Sequence, residues 1–405
     1  MDTLREVLTI ILAGGRGERL YPLTRDRAKP AVPFGGIYRI IDFTLSNAIN
    51  SGLRRIYVMT QYKSLSLQRH IKEGWNILSR ELGEFIELVP AQQRVGDEWY
   101  LGTGDSVFQN IHLIEDDRPD LVLVLAGDHI YKMDYRKFID FHLTSGADLT
   151  ISACEMSRQE ATRFGVLTVA CDGRVTAFEE KPQEPAGLPE SPDTSLVSMG
   201  IYVFSRDVLL KRLVEDAKRP GSEHDFGKDI IPTMIGKDKV YAYRFIDENR
   251  KETKYWRDIG TIDAYWEASM DLVNVDPVLN IYDRRWPVRT YQSPLPPAKT
   301  VFSEGERMAL VQDCLITGGS IVSGARVRHS ILSPWTRVNS YADVVDSILL
   351  EGVQVGRHAR VRRAVVDKDV IIPPGMVIGY DPDADRKRFT VSPGGVVVIP
   401  KGYRF

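Results

Sequence analysis

The chain has 405 residues, 43% hydrophobic and 27% charged, a mixture that excludes a disordered or fibrous protein and a length that favours two domains over one core. Its 53 basic and 55 acidic residues leave a net charge of -2, so no global attraction to nucleic acid or to an anionic membrane is expected, and an anionic substrate must be held by a local cluster. Cys154, Cys171 and Cys314 are an odd number without metal-type spacing, which argues against a disulfide framework and for a reducing, cytoplasmic setting.

Met1 to Ile11 carries acidic residues and neither the length of a membrane span nor a cleavage pattern. Val7 to Leu12 is a short run rich in β-branched residues that stops at Ala13-Gly14-Gly15, which predicts a buried strand entering a glycine loop. Ile41, Leu45, Ala48 and Ile49 fall at helical spacing, Gly52 stops that helix, and Ile56 to Met59 predicts the next strand. Leu121 to Leu125 is continuously apolar and ends in Ala126-Gly127-Asp128-His129, as expected for a central strand covered on both faces. The pattern predicts an α/β fold with a Rossmann-like, mixed but mainly parallel sheet over residues 1–275, with Gly14-Gly15 and Asp128 in one crevice at the carboxyl ends of its strands.

Asp276 to Thr300 contains Trp286-Pro287 and Pro294 to Pro297, which can form neither a long helix nor a central strand, so 276–300 is read as an interdomain connector. From residue 301 to 405 the apolar positions repeat every 17 residues. Ile321, Val338, Val355 and Ile372 form one column, Val327, Val344, Val361 and Ile378 a second, and Ile331, Ile348 and Val365 a third. Such columns, six residues apart within a row, predict a parallel β-helix of hexapeptide repeats. Three full hexapeptides would need eighteen residues, so one corner is expected to be shortened. Pro393-Gly394-Gly395 predicts a turn before a last apolar run, Val396 to Ile399.

Several segments offer chemistry. In Leu12-Ala13-Gly14-Gly15-Arg16-Gly17-Glu18-Arg19-Leu20, glycines let backbone amides approach an anion and Arg16 and Arg19 add charge, which suits a triphosphate; the same letters also fit a tight turn with solvated arginines. No Gly-Lys-Ser/Thr follows, and the glycine spacing is not that of a dinucleotide fold. Lys29 precedes Pro30 and Pro33, which are expected to hold the loop extended, and is able to project back toward the glycines or simply to be solvated. Asp128, at the end of an interior strand, is a candidate Mg2+ ligand; Asp258 is a second candidate, with the alternative that it belongs to a turn before a helix capped by Thr261. Lys181 could neutralise a monophosphate while Glu180 holds hydroxyls.

Taken together, Ile11 to Leu20 (ILAGGRGERL), Arg27 to Val32 (RAKPAV), Arg39 to Gly52 (RIIDFTLSNAINSG), Pro90 to Arg94 (PAQQR), Trp99 to Asp105 (WYLGTGD), Ala126 to Tyr131 (AGDHIY), Glu180 to Pro182, Ser198 to Phe204 (SMGIYVF), His224 to Asp229 (HDFGKD) and Tyr255 to Gly260 (YWRDIG) resemble the sugar-nucleotide pyrophosphorylases over almost the whole chain. RIIDF, PAQQR, HDFGKD and YWRDIG look like the bacterial glucose-1-phosphate adenylyltransferase, or ADP-glucose pyrophosphorylase, branch of that family rather than its uridylyl, thymidylyl or guanylyl branches. The resemblance implies ADP-glucose synthesis from ATP and glucose 1-phosphate for glycogen formation, a left-handed β-helix as second domain, a homotetramer, and small anionic effectors bound near the domain junction. It implies Arg16, Arg19, Lys29 and Asp128 as catalytic, Leu12, Ala13, Gly14, Gly15 and Gly104 on the nucleotide, and Tyr100, Gly165, Glu180, Lys181 and Ser198 on glucose 1-phosphate. Asp128 and Asp258 would hold Mg2+, and Arg27, Arg39, Arg362 and Arg363 would form an effector site. One departure bears on regulation: many relatives carry a basic residue at the place of Asp26 that helps bind a bisphosphate activator, and the reversed charge here counts against fructose 1,6-bisphosphate as that activator while leaving the arginines as an anion site.

The chemistry implied is in-line attack by a sugar phosphate oxygen on the ATP α-phosphorus, for which the protein must mainly offset the repulsion of two polyanions. Three alternatives compete with it: another sugar-1-phosphate nucleotidyltransferase, a catalytically silent regulatory subunit, which would be expected to lose the loop arginines or the aspartate, and a hexapeptide acyltransferase, for which His329 and His358 are too isolated.

Overall fold

In the computed structural model, which describes residues 3–92, 99–251 and 253–405, Val7–Leu12 is strand β1 and Ile40–Asn50 is helix α1. Strands β2 (Arg55–Thr60), β3 (Phe85–Pro90) and β4 (Leu121–Ala126) run parallel to β1, which lies between β2 and β4. Alternate residues of β1 feed two separate cores: Ile11 packs in one with Leu45 and Leu123, Ile10 in the other with Tyr57 and Val124. Coverage on both faces is why these strands are apolar throughout.

Beyond β4 come β5 (His129–Tyr131), β6 (Leu149–Ser157), β7 (Gly165–Val169), β8 (Val175–Glu180), β9 (Thr194–Ser205), β10 (Val240–Arg244) and β11 (Trp256–Asp258). The long β9 runs antiparallel to β4, β6 and β7, giving a nine-stranded mixed sheet in the order β8-β7-β9-β4-β1-β2-β3, with β6 pairing β9 and β10. β5 and β11 form a separate antiparallel ribbon that sets Asp258 opposite His129. The three cysteines are unpaired, and no helix among the described residues is long and apolar enough to cross a membrane.

Asp276 onward contains neither helix nor strand until Lys299–Val301, the first strand of the second domain, which starts at the end of the stretch read as connector. From there the chain coils so that the strands of successive coils lie parallel on one another; only the short hairpin 303–308 and the pairing of Thr390–Val391 with Val397–Ile399 are antiparallel among the described residues. Val327, Val344, Val361 and Ile378 stack in register as expected. Two other columns differ from expectation. Val338, Val355 and Ile372 stack, but Ile321 pairs with Arg337 and it is Val322 that sits over Val338; the coil between them is one residue short, which a fixed interval cannot register. Ile331, Ile348 and Val365 are in register, yet they point out of the coil. The interior is filled instead by their neighbours Leu332, Leu349 and Val366, together with Val338, Val344 and Val355. From Val338 to Val344 to Leu349 to Val355 the sides are six, five and six residues long, so the shortened side is the one ending at Leu349.

The outward column has a structural use. Ile331, Ile348 and Val365 share one buried cluster with Leu20, Phe34, Tyr265 and other residues of the first domain, so the two domains are joined by a continuous apolar seam. Helix α2 (Ile262–Met270) adds polar stitches: Trp266 Nε1 donates to the Asp346 carbonyl at 2.9 Å, and Gly394 N donates to Asp263 at 3.2 Å. Arg27 and Asp367 form a buried ion pair at 3.0 Å across the same junction. The connector lies on α1, where Asp42, fully buried, shares hydrogen bonds with His70 (2.6 Å), Trp75 (2.9 Å) and Thr290 (2.6 Å).

Candidate active site

A cavity of about 1020 Å³ opens where β1, β2 and β4 end, the position at which parallel sheets present ligand sites. The glycine loop forms one wall, from Leu12 through Ala13, Gly14 and Gly15 to Arg16, with Arg19 beside it. A side chain at Gly15 would meet nothing within 4 Å, so its backbone faces open space where an anion can approach. Gly17 takes a left-handed φ of 65°, which turns the chain away before Arg19. Arg16 is exposed and lies 4.8 Å from the Tyr62 ring centroid, while the Arg19 guanidinium reaches Gly260, next to Asp258.

Asp128 and Asp258 both face this cavity, and Lys29 joins them: its Nζ is 2.7 Å from Asp128 Oδ2 and 3.0 Å from Asp258 Oδ1. Thr261 is the cap of α2, accepting from Ala264 N at 3.2 Å, which leaves Asp258 free of that duty. Burial by itself would raise the Asp128 carboxyl, but the Lys29 ammonium and His129 outweigh it and hold the group down to about 2. Burial likewise opposes the charge on Lys29, and the two carboxylates overcome it, raising the ammonium above its ordinary value. Lys29 differs from expectation in one way, since Lys29–Ala31 is a turn of 3₁₀ helix rather than an extended segment; its side chain starts against Gly17 of the glycine loop and carries its ammonium to the carboxylates. Asp128, His129 and Asp258 bring one ligand atom each within 4.8 Å of one another. Hard carboxylate oxygens beside a cavity able to admit phosphates fit Mg2+, which takes few protein ligands.

The opposite wall holds Tyr100, Gly165, Glu180, Lys181 and Ser198, all facing the same cavity. Asn110 donates to the Tyr100 hydroxyl at 2.8 Å and fixes the ring. Lys181, at a left-handed φ of 50°, places Nζ 2.7 Å from Glu180. The Glu180 carboxylate fits between two glycines: a Cβ on Gly165 would stand 2.9 Å from it and one on Gly227 2.7 Å.

His129, Trp256, Asp225 and Gly227 also line the cavity and were not singled out in the sequence. His129 and Trp256 meet edge to face at 5.1 Å, and His129 Nδ1 and Trp256 Nε1 are buried without a hydrogen-bond partner. Asp225 Oδ2 accepts from Thr103, which lies on the facing helix Thr103–Phe108. All four stand inside quoted segments, AGDHIY, YWRDIG and HDFGKD, but nothing in their spacing separates a wall residue from a core one.

Other expected positions fall outside the cavity. Gly104 lies behind its wall, donating its N–H to the His224 carbonyl at 2.8 Å; a Cβ there would stand 2.4 Å from Ile230, so this glycine serves helix packing rather than the nucleotide. The four arginines read as an effector site are not gathered into one. Arg27 is taken up by Asp367, and Arg363 stacks on Trp266 at 4.2 Å and donates to the Gly394 carbonyl. Arg362 is exposed on the β-helix. Only Arg39 lines a second cavity, of about 460 Å³, with His70, Glu73, Glu351 and Lys368 at the domain junction. Asp26 pairs with its neighbour Arg25 at 2.9 Å, and of PAQQR, Gln93 and Arg94 lie outside the described residues.

Residues 8–275 match the family model described as Nucleotidyl transferase, and residues 296–399 match one described as GlmU-like, C-terminal hexapeptide. Among curated proteins, the Glucose-1-phosphate adenylyltransferase of Rhodopirellula baltica is 55% identical over 98% of this chain and 91% of its own length. Proteins of the same name from Koribacter versatilis (54%, covering 98% and 96%) and Methylococcus capsulatus (52%, covering 98% and 93%) are similar to it throughout. Near-full-length identity at this level, on a glycine loop and paired aspartates that converge on one cavity, leads to one conclusion: the chain belongs to the nucleotidyl transferase family, in its glucose-1-phosphate adenylyltransferase branch.

Proposed function

We propose that this chain makes ADP-glucose and diphosphate from ATP and glucose 1-phosphate, as a supply of activated glucose for glycogen synthesis. The observation that carries the reading is the convergence, in one cavity, of the glycine loop with Arg16 and Arg19, the Asp128–Asp258 pair, and the wall of Tyr100, Glu180, Lys181 and Ser198. ATP would lie along Leu12 to Gly15, with Arg16 and Arg19 on its phosphates. Lys181 would neutralise the sugar phosphate, and Glu180, seated against Gly165 and Gly227, would accept from glucose hydroxyls. A phosphate oxygen of glucose 1-phosphate forms the new bond to the ATP α-phosphorus as the bond to the β-phosphate oxygen breaks, and diphosphate leaves with the electron pair. The nucleophile is already ionised near neutral pH, so the side chains are needed to align two polyanions and to offset their repulsion.

Asp128 and Asp258 would hold Mg2+, which supplies charge compensation on phosphate oxygens and on the departing diphosphate. Lys29, bonded to both carboxylates, keeps them side by side. A small anionic effector finds support in the junction cavity, where Arg39, His70 and Lys368 stand near Glu73 and Glu351. The deciding assay is diphosphate release from ATP, glucose 1-phosphate and Mg2+, repeated with UTP, dTTP, CTP and GTP. ATP is expected to be used best. Release with another nucleotide alone would assign the chain to a different sugar-1-phosphate specificity, and no release with any would make it a silent subunit.

A further inference from the structure

Helix α1 buries a polar face. Asp42, Ser46 and Asn47 are each at most 1% exposed, and Thr44 and Asn50 are the other polar positions of the helix. One set of these groups holds the interdomain connector: Thr290 Oγ1 donates to Asp42 at 2.6 Å, Arg289 N to Ser46 Oγ at 2.8 Å, and Asn50 Nδ2 to the Pro287 carbonyl at 2.9 Å. Another set holds the backbone on either side of Asp128: Thr44 Oγ1 donates to the Ala126 carbonyl at 3.0 Å and Asn47 Nδ2 to the Tyr131 carbonyl at 3.1 Å.

Asn47 alone belongs to both sets. Its Oδ1 accepts from Trp286 Nε1 of the connector at 2.9 Å and from Met133 N at 3.3 Å. Both partners can only donate and the Tyr131 carbonyl can only accept, so the amide has one orientation and every polar atom in it is used. The ribbon it grips is short: β5 has three residues, and its pairing with β11 sets His129 opposite Asp258. Strands of this length do not fix their own position, so outside contacts must. A second tie runs from the next residue, Lys132, whose ammonium donates to the Asn280 carbonyl of the connector.

We propose that Asn47 is a positioning residue through which the interdomain connector, by way of Trp286, sets the place of the Asp128 ribbon opposite Asp258, and so sets how strongly the chain uses a divalent ion. The proposal rests on the reading that these two carboxylates hold Mg2+. Groups that orient ligands from one layer out are worth roughly ten- to a hundredfold in metal affinity, although they never touch the ion.

The test uses the full-length protein as Asn47→Ser and Trp286→Phe, the second removing only an N–H donor while keeping an aromatic ring. Val344→Ala, in the β-helix interior, serves as a variant that loses stability elsewhere. Mn2+ binding to the protein without nucleotide is followed by the electron paramagnetic resonance of the free ion, alongside the Mg2+ concentration for half-maximal turnover. Both Asn47→Ser and Trp286→Phe are expected to weaken Mn2+ binding and raise the Mg2+ demand by roughly tenfold, with the KM for glucose 1-phosphate unchanged. Val344→Ala should melt earlier and bind Mn2+ as the unmodified chain does. If Trp286→Phe, folded, matches the unmodified chain in both metal readouts, the proposal is overturned, whether or not Asn47→Ser folds. Asp128→Asn is the control for the reading beneath it: undiminished Mn2+ binding there would remove the metal site, and the proposal with it.

Discussion

In the crevice, Lys29 meets Asp128 and Asp258 across 99 and 229 residues of sequence, whereas in the β-helix Val344 stacks on Val327 and Val361, one coil away on either side. The first region brings unlike groups together once; the second repeats like groups many times. A side chain that lines the crevice therefore has a role that no neighbour can take over, so its loss should cost chemistry first. A residue of the β-helix interior shares its load with the residues above and below it, and is fully buried, so its loss should cost stability and no chemistry.

Asp128→Asn is the sharpest way to try to break that contrast. Turnover is expected to fall at least about a hundredfold, the scale set by losing a group that stabilises transition-state charge, with much less change in the KM for either substrate. Steady-state kinetics and a melting curve on the same preparation check it; near-normal turnover would remove Asp128 from the site. Leu349→Ala should do the reverse, lowering stability by about 2–5 kcal/mol through lost burial and the cavity left behind, with turnover at permissive temperature unchanged. Denaturant unfolding followed alongside activity decides this, and a large loss of turnover in the folded variant would mean that the β-helix interior is coupled to the crevice.

The smallest expected effect concerns acid. A carboxyl held at about 2 when folded and near its ordinary ~3.9 when unfolded adds stability above the higher value, and that contribution is lost as the pH falls through the lower one. Without added divalent ion, the chain should lose part of its stability between about pH 4 and pH 2 on this account. In Lys29→Met the two carboxylates face each other without a cation, so the variant should be less stable at neutral pH and should regain stability as one of them protonates. Unfolding free energies measured across pH 2 to 7 would show the two slopes; parallel curves would mean that Lys29 does not hold Asp128 down.

Much of this architecture was legible in the letters. Val7 to Leu12 and Leu121 to Leu125 are strands because apolar β-branched runs of that length have few other places to go, and the glycines after β1 open the loop because nothing else leaves the backbone bare. The 17-residue interval gave the β-helix, and Val327, Val344, Val361 and Ile378 stack as it requires. The interval could not tell the inside of the coil from the outside. Ile348 and Leu349 are adjacent and equally apolar, yet one enters the seam with the catalytic domain and the other the interior. The site was legible in part: Asp128 and Asp258, which share the cavity, could be named as candidates, while His129 and Trp256 beside them could not be separated from core residues.

The sequence by itself determined the local elements, the repeat and the set of charged residues available for anions, because these follow from backbone preference and hydrophobic periodicity over short spans. The tertiary structure decided which charges are free to act. Arg27 and Arg363 carry the same charge as Arg16 and Arg19, but Arg27 is buried against Asp367 and Arg363 lies on Trp266, while Arg16 and Arg19 face the open cavity. A charge can reach a ligand only where the fold leaves it open to a cavity rather than closed off against its partner, and partners separated by hundreds of residues are chosen by the fold.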